Sequence, residues 1–453
     1  MSSIFTQTND GLFVIIILFL AISGFFLFKK FFLGNSLKLT RLTLPSFFLI
    51  AYIILMSFPS IIWFFVSVHP IRYTYFLAIQ SVLILFPIGV FLANVFFHYP
   101  SRIIINFLSS SLSKKRRDSY IFPFFILMFI FSILITVVYI FSSRYIPLIG
   151  SLTKYGEVGA EAVRFSIYEE SNVLHYLLAL VLRMFLPFCL LFSYFMNYVY
   201  KKRWRVIFWF VILPLAVFAS LLTFERIYSF SLFILLILAI YFKNYQTISK
   251  SPFLLISKSK ILLSKFKIRL AIFFLGIFIL AIFIGGVVSK TQYNLPFGSA
   301  GTFISNTTKG FFLNRVLLDP SHMAYLQFEE FNNPTTFLYG KSIRILSLFG
   351  FEFQPVSAAP SFISELWLNF GWLGIIIGVI TIGFTLQLIQ LIFFREKSIP
   401  ILSFYIILLL NGAWIIYGHI LSTMVVSVYL IAILFLFFLL SIKEKSFREK
   451  GTN

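Results

Sequence analysis

Long apolar runs, separated by short polar or basic segments, set the pattern of the whole chain. A helix needs about 20 apolar residues to cross a bilayer, and nearly every run approaches or exceeds that length. The pattern therefore predicts an all-α polytopic membrane protein, with residues 1–453 in a single integral membrane domain. About eleven transmembrane helices are predicted, near residues 12–28, 45–67, 73–97, 121–141, 173–199, 206–222, 228–242, 270–288, 364–394, 400–418 and 421–441.

The composition agrees with a membrane protein and narrows its chemistry. Of the 453 residues, 60% are hydrophobic and only 11% are charged, a balance that no soluble core could absorb. The segment before the first run holds no Lys or Arg, so we interpret that run as a membrane helix rather than a cleavable signal peptide. Cys189 is the single cysteine, which excludes an intramolecular disulfide and Cys-ligated metal chemistry.

Basic residues are concentrated on one side of the predicted membrane. Alternate connections hold 26 of the 37 Lys and Arg residues, and such an excess marks the cytoplasmic side. The N-terminus is therefore predicted outside and the C-terminus in the cytoplasm. We attribute the net charge of +22 to topology and to anionic headgroups of the lipid bilayer, and expect no nucleic-acid partner.

Two of the predicted outer connections are long, at residues 142–172 and 289–361. Connections of this length are usually functional. Aromatic and aliphatic residues at helical spacing within NRVLLDPSHMAYLQFEEF predict short helices in the second one. Ten of the 15 acidic residues lie in the outer connections or at their edges, so candidate chemistry gathers on that side.

Two arginine-bearing segments of the outer side are candidate anion sites. Glu225 and Arg226 form the tip of a tight hairpin, TFERIYS, and Arg164 lies among the glutamates of the first long connection. Arg binds phosphate bidentately and keeps its charge at all physiological pH values. The alternative for Arg226 is an ion pair with Glu225 or a side chain that snorkels to the interface, and the alternative for Arg164 is a salt bridge to Glu161 or Glu169.

The second long connection carries the densest group of charged residues. Arg315, Asp319 and His322 are spaced i, i+4 and i+7, which places a cation, a carboxylate and an imidazole on one face of a helix. The alternative is a solvated face with one salt bridge. No metal site is predicted, because His322 has no second histidine at ligand spacing.

The return of the second connection to the membrane, PSFISELWLNFGWLGIIIGVITIGF, places Glu365 at the start of a helix. A carboxylate there is also explained by the helix dipole alone. Gly371, Gly374 and Gly378 predict a small-residue face for close helix packing. Three aromatic residues are candidates for stacking on sugars or for an interfacial belt: Tyr325, Trp367 and Trp372.

With this topology and these motifs, the chain resembles the bacterial Wzy-type polymerases of oligosaccharide repeat units, part of the O-antigen polymerase and ligase group. The resemblance rests on the long outer connections, on Arg315 at the start of a helix-like segment, on FLYGKSIRIL with Tyr339, Gly340 and Ser342, and on SELWLNFGWLGIIIG. Arg226 also has a family counterpart, although Glu225 and Ile227 flank it where the family often has Ser or Gly.

The resemblance implies a GT-C-like fold and a periplasmic active face in the bacterial inner membrane. It implies transfer of a growing glycan from undecaprenyl diphosphate to an incoming lipid-linked repeat unit, without a metal or other cofactor. On this basis Arg226, Arg315 and Arg164 would bind the diphosphate, and His322, Glu365 and Glu225 are candidate catalytic bases. Five residues would contact the oligosaccharide: Asp319, Tyr325, Tyr339, Lys341 and Arg344. A chain-length regulator of the Wzz type is a candidate partner.

Other functions fit parts of the pattern. A flippase or other transporter of lipid-linked oligosaccharides would need charged residues along a path through the membrane, and Arg183 is the main charge within a predicted span. An O-antigen ligase would share the fold and site but use a different acceptor. A membrane acyltransferase would need a histidine with an acidic partner at a span, and neither His175 nor His419 shows one in the sequence.

Overall fold

The computed structural model of the chain is helical, and no strand occurs among the residues that it describes. Within the part of the chain that the structure describes, four helical segments are long and apolar enough to cross a membrane, which identifies a helical membrane protein: Asp10–Phe28, Leu44–Val66, Ile71–Phe96 and Phe362–Leu391. The structure describes residues 2–28, 30, 43–97, 122–142, 177–178, 180–200, 203–222, 226–248, 319–332, 361–395, 399–414 and 416.

These four helices confirm the apolar helices predicted at 12–28, 45–67, 73–97 and 364–394, with boundaries that agree within a few residues. Shorter apolar helices of 10–17 residues occupy parts of five further predicted spans, 121–141, 173–199, 206–222, 228–242 and 400–418. The predicted spans 270–288 and 421–441 lie outside the described residues. The count of eleven spans stays a prediction.

The described helices are α1 (Ser2–Phe28), α2 (Leu44–Tyr52), α3 (Phe58–Val66), α4 (Ile71–Phe96), α5 (Phe122–Ser142), α6 (Leu186–Tyr200), α7 (Arg203–Val206), α8 (Leu213–Leu222), α9 (Arg226–Ile248), α10 (Asp319–Glu330), α11 (Phe362–Arg395) and α12 (Ile399–Trp414). They fall into two compact units. One comprises Met1–Ser101, Phe312–Ile392 and Asn411–Asn453, and the other comprises Arg102–Phe311 and Phe393–Leu410.

In the described ranges, three short π-helical segments interrupt the α-helices, and each ends two residues before a proline. They are Ile53–Ser57 before Pro59, Val181–Phe185 before Pro187, and Ile207–Ile212 before Pro214. Proline has no backbone N–H, and its ring clashes with the carbonyl four residues earlier. The wider π turn gives that carbonyl room, so these helices continue through proline.

Buried aromatic residues form the centre of the first unit. The ring of Phe48 on α2 stacks on Phe86 of α4, with centroids 4.9 Å apart, and meets the edge of Phe362 on α11 at 5.7 Å. The Tyr52 hydroxyl donates to the carbonyl of Ile79 at 2.7 Å, so its polar end is satisfied inside the core. These contacts hold α2, α4 and the start of α11 together.

Helices α4 and α11 cross at two glycines. A Cβ atom on Gly89 would lie 2.1 Å from the carbonyl oxygen of Ile380, and one on Gly383 would lie 2.4 Å from that of Phe86. Only glycine allows backbones to approach this closely. Beside the crossing, the Gln387 amide donates to Asn94 Oδ1 at 2.6 Å, a polar pair between the same two helices.

Gly371 divides α11 into two arms. Its φ of 58° and ψ of −137° belong to a region that side-chain-bearing residues rarely adopt, and the helix axis kinks there. Leu366 of the first arm consequently packs against Gly374 and Gly378. A Cβ atom on Gly374 would lie 2.3 Å from the Leu366 carbonyl oxygen, and one on Gly378 would lie 2.3 Å from Leu366 Cδ2. The predicted small-residue face thus packs against the chain's own preceding turn, and Gly371 serves as the kink.

Candidate functional site

The structure describes the side chains of three predicted site residues, His322, Tyr325 and Glu365. Helix α10 begins at Asp319, and helix α9 begins at Arg226. The other predicted site residues lie outside the described residues: Arg164, Glu225, Arg315, Tyr339, Lys341 and Arg344.

Helix α10 belongs to the segment predicted as the large outer connection, and it packs against α3 and α4. Its sequence DPSHMAYLQFEE has proline at the second helical position, where the missing N–H does no harm. The buried positions Ser321, Ala324, Tyr325 and Phe328 recur at three or four residues and form one face. A helix with one buried face is held by packing rather than by propensity.

Two tyrosine hydroxyls fasten α10 to the corner between α3 and α4. The Tyr75 hydroxyl donates to the carbonyl of Ser321 at 2.9 Å and lies within hydrogen-bond distance of the Ser321 hydroxyl. The Tyr325 hydroxyl forms a short hydrogen bond with the hydroxyl of Ser67, which follows α3. The Tyr75 and Tyr325 rings meet edge to face at 5.4 Å. Both bonds are buried or half-buried, and together they fix the rotation of α10.

The imidazole of His322 lies flat on the indole of Trp63. The two ring centroids are 4.0 Å apart, and the rings are inclined by only 8°. Trp63 and Ser67 are four residues apart, and His322 and Tyr325 are three apart, so the stack and the Tyr325–Ser67 bond lie one above the other. The indole nitrogen of Trp63 is buried and has no hydrogen-bond partner among the described residues.

An ion pair stabilises the same corner. The Arg72 guanidinium donates to Asp10 Oδ2 of α1 at 2.7 Å, and the Tyr73 hydroxyl makes a short hydrogen bond to the other carboxylate oxygen. Arg72 also donates to the carbonyl of Ser67 at 2.9 Å. Ser67 therefore joins two sets of contacts, because its carbonyl accepts from Arg72 while its hydroxyl meets Tyr325.

The sequence reasoning missed Arg72 and Asp10. The signal was present, because Asp10 directly precedes the first apolar run and Arg72 directly precedes the third. Both positions fall on the predicted outer side. Opposite charges at the same ends of two apolar helices are well placed to pair, since each lowers the desolvation penalty of the other.

Burial raises the pKa of the Tyr325 phenol above its ordinary value. Glu329 raises the pKa further, whereas the hydrogen bond from Ser67 and the charge of Arg72 lower it. Tyr325 is therefore a neutral group at physiological pH. Because folding favours the protonated form, the stability from this phenol is complete below the ordinary tyrosine pKa and is lost as the pH rises through the raised value.

Glu365 lies in the first turn of α11, where a negative charge is favourable to the helix dipole. Its backbone N–H donates to the carbonyl of Ser361 at 3.0 Å, and its carbonyl accepts from the Asn369 amide at 2.9 Å. The Ser361 hydroxyl accepts from the backbone N–H of Ser364 at 3.2 Å. These bonds cap the helix start and hold the backbone of Glu365 in place.

Trp367 connects the start of α11 to the end of α10. Its indole N–H donates to the carbonyl of Phe331 at 2.8 Å, and its ring stacks on Phe328 at 4.6 Å. Trp367 is 5% exposed, so its ring faces protein rather than an open surface. The structure thus places His322 near the beginning of α10 and packs Trp367, two residues after Glu365, against the end of that helix.

The imidazole of His322 and the carboxylate of Glu365 are both suited to general-base catalysis, because each type of group accepts a proton from a sugar hydroxyl. Among the described residues no three His, Cys, Asp or Glu side chains come together in an arrangement that could hold a metal ion.

Comparison of the chain with family models, curated proteins and solved structures finds no match.

Proposed function

We propose that the chain is a polysaccharide polymerase of the Wzy type, with eleven spans, a GT-C-like fold and its active face on the periplasmic side of a bacterial inner membrane. The observation that carries the proposal is helix α10. It holds His322 at the corner of two apolar helices of spanning length, and the hydroxyls of Tyr75 and Tyr325 fix its orientation there. A base held at the end of spanning helices stands at the depth of a lipid headgroup.

The reaction is a displacement at the anomeric carbon of the lipid-linked donor. The bond between that carbon and the diphosphate oxygen breaks as the acceptor hydroxyl oxygen attacks, and His322 takes the hydroxyl proton. Undecaprenyl diphosphate leaves with the bonding electron pair. Arg226, Arg315 and Arg164 stabilise the negative charge that develops on it. Because attack comes from the opposite face, the anomeric configuration inverts.

Glu365 and Glu225 are the alternative bases. Asp319, Tyr325, Tyr339, Lys341 and Arg344 contact the oligosaccharide in this proposal, and a Wzz-type regulator is the proposed protein partner. Among the described residues, Asp10 and Arg72 lie at the starts of apolar spans, which supports surface chemistry rather than transport, whereas Arg183 lies within an apolar helix.

The decisive experiment is polymerisation by the purified full-length protein in nanodiscs with defined undecaprenyl-diphosphate-linked repeat units. A ladder of products longer than one repeat, with no added metal or nucleotide, is the expected result. A flippase would move the lipid across the bilayer without extending it, and a ligase would need a different acceptor, so either outcome overturns the proposal.

Within this assay, His322→Ala should reduce the rate by roughly 100-fold or more, because general-base catalysis contributes about 10²–10⁴. His98→Ala, in a predicted cytoplasmic connection, is the matched control and should polymerise at the wild-type rate. A wild-type rate in His322→Ala moves the role of base to Glu365 or Glu225.

A further inference from the structure

We propose that Trp63 is the positioning residue for His322: its indole face holds the imidazole in place and stabilises the charged form that arises when His322 takes a proton. The inference rests on the proposed function for the role of His322 as base. It adds a residue of α3 to the residues already assigned to the site. The flat stack, with centroids 4.0 Å apart, is the observation that carries it.

The contacts on both sides of the stack show why the imidazole lies flat on the indole. Ser321, adjacent to His322 in α10, is bonded to Tyr75, and Tyr325, one turn later, is bonded to Ser67. These bonds prevent α10 from rotating about its axis. The imidazole is therefore held in contact with the indole face.

The indole acts through its face. Trp63 Nε1 has no hydrogen-bond partner among the described residues, so the nitrogen does not account for a tryptophan at this position. An aromatic face attracts a cation, and tryptophan does so most strongly. The attraction is small for neutral imidazole and larger for imidazolium, so it favours the state formed during proton transfer. A parallel stack also leaves the imidazole edge, which carries both nitrogens, outside the indole contact.

Other titratable groups act on the same corner and stay unchanged when Trp63 is replaced. On α3, α4 and the turn that joins them, and on the described part of α10, these groups are His69, Arg72, Tyr73, Tyr75, Tyr325, Glu329 and Glu330, with Asp10 paired to Arg72. A comparison of Trp63 variants in one chain therefore isolates the contribution of the indole.

The test is an NMR titration of ¹³C-labelled histidine in the full-length protein in nanodiscs, with the His322 signal assigned by its loss in His322→Gln. In Trp63→Leu the titration midpoint of His322 should fall by about half a pH unit, the shift expected for loss of a weak cation–π contact. The upfield ring-current displacement of the signal should also disappear. Trp63→Phe retains an aromatic face, loses no hydrogen bond, and should fall between wild type and Trp63→Leu.

Activity supplies the second readout. In Trp63→Leu the acid limb of the pH–rate profile should move to lower pH by the same half unit, and kcat should fall roughly three-fold with KM unchanged. Trp209→Leu, on another helix, is the control for general loss of a tryptophan. A purely structural role for Trp63 would lower the amount of folded protein without moving either midpoint.

The two proposals fail in different ways. An unchanged His322 midpoint in both Trp63 variants overturns this inference, whether or not the protein polymerises. A shifted midpoint in a protein that makes no polymer supports the stack and overturns the proposed function.

Discussion

At the scale of single residues, Ser67 connects Arg72, His69 and Tyr325 around the candidate site. Its carbonyl accepts from Arg72, and its hydroxyl bonds Tyr325 and accepts from the backbone N–H of His69 at 3.2 Å. The ion pair with Asp10 fixes the Arg72 guanidinium, which donates to the Ser67 carbonyl. The buried Asp10 is therefore linked through Arg72 and Ser67 to Tyr325, on the helix that carries His322.

That linkage predicts the effect of removing the carboxylate. Asp10→Ala should destabilise the protein by about 3 kcal/mol, because it leaves the half-buried Arg72 guanidinium without its counter-charge. The measurement is the melting temperature in detergent. Asp10→Asn, which retains a hydrogen-bond acceptor, should melt between the two, and Glu330→Ala, at an exposed position, should match wild type. Equal melting of Asp10→Ala and wild type would show that the pair contributes nothing.

At the scale of helices, glycines decide how close two backbones come. The crossing of α4 and α11 depends on Gly89 and Gly383, each of which has a carbonyl oxygen where its Cβ would stand. The kink at Gly371 depends on a backbone conformation, not on space. Packing glycines and conformational glycines look alike in sequence, since both stand within an apolar run.

The crossing predicts that Gly89→Ala separates the two helices. The added methyl group would meet the Ile380 carbonyl, so the backbones must shift, and overpacking of this kind costs about 1–3 kcal/mol. Gly11→Ala is the matched control, because a Cβ on Gly11 meets no atom within 4 Å. Thermal unfolding in detergent checks the difference. If both variants melt at the same temperature, the close approach at Gly89 does not contribute to stability.

At the scale of the whole molecule, apolar length predicted more than residue chemistry did. The four helices of spanning length lie where the hydrophobic runs placed them, since burial in lipid needs only a continuous apolar segment. The partners of site residues could not be predicted in this way. Tyr325 meets Ser67 across 258 positions of sequence, and His322 meets Trp63 across a similar distance. Contacts at that separation depend on tertiary packing, which local patterns do not encode.

The charge distribution of the whole chain predicts the effect of removing a candidate diphosphate-binding arginine. Arg226→Ala, at the first residue of α9, should leave single lipid-linked repeats in cells but no polymer, with normal expression. Loss of one cation at a developing charge reduces the rate by about 10²–10³. Arg205→Ala, predicted on the cytoplasmic side, is the control. Glycan chains of wild-type length in Arg226→Ala would remove this residue from the site.

The π segments before Pro59, Pro187 and Pro214 change how the faces of these helices are counted. In each segment an N–H bonds the carbonyl five residues earlier, as Phe58 does with Ile53 and Leu186 with Val181. The wider turn contains one extra residue, so this residue does not rotate the rest of the helix by the usual angle of about 100°. Residues on one apolar stripe are therefore one position further apart in sequence across each segment than in a regular α-helix. Removal of one residue there would restore ordinary winding and leave both stripes aligned, whereas the same deletion elsewhere would turn one stripe away from its neighbours.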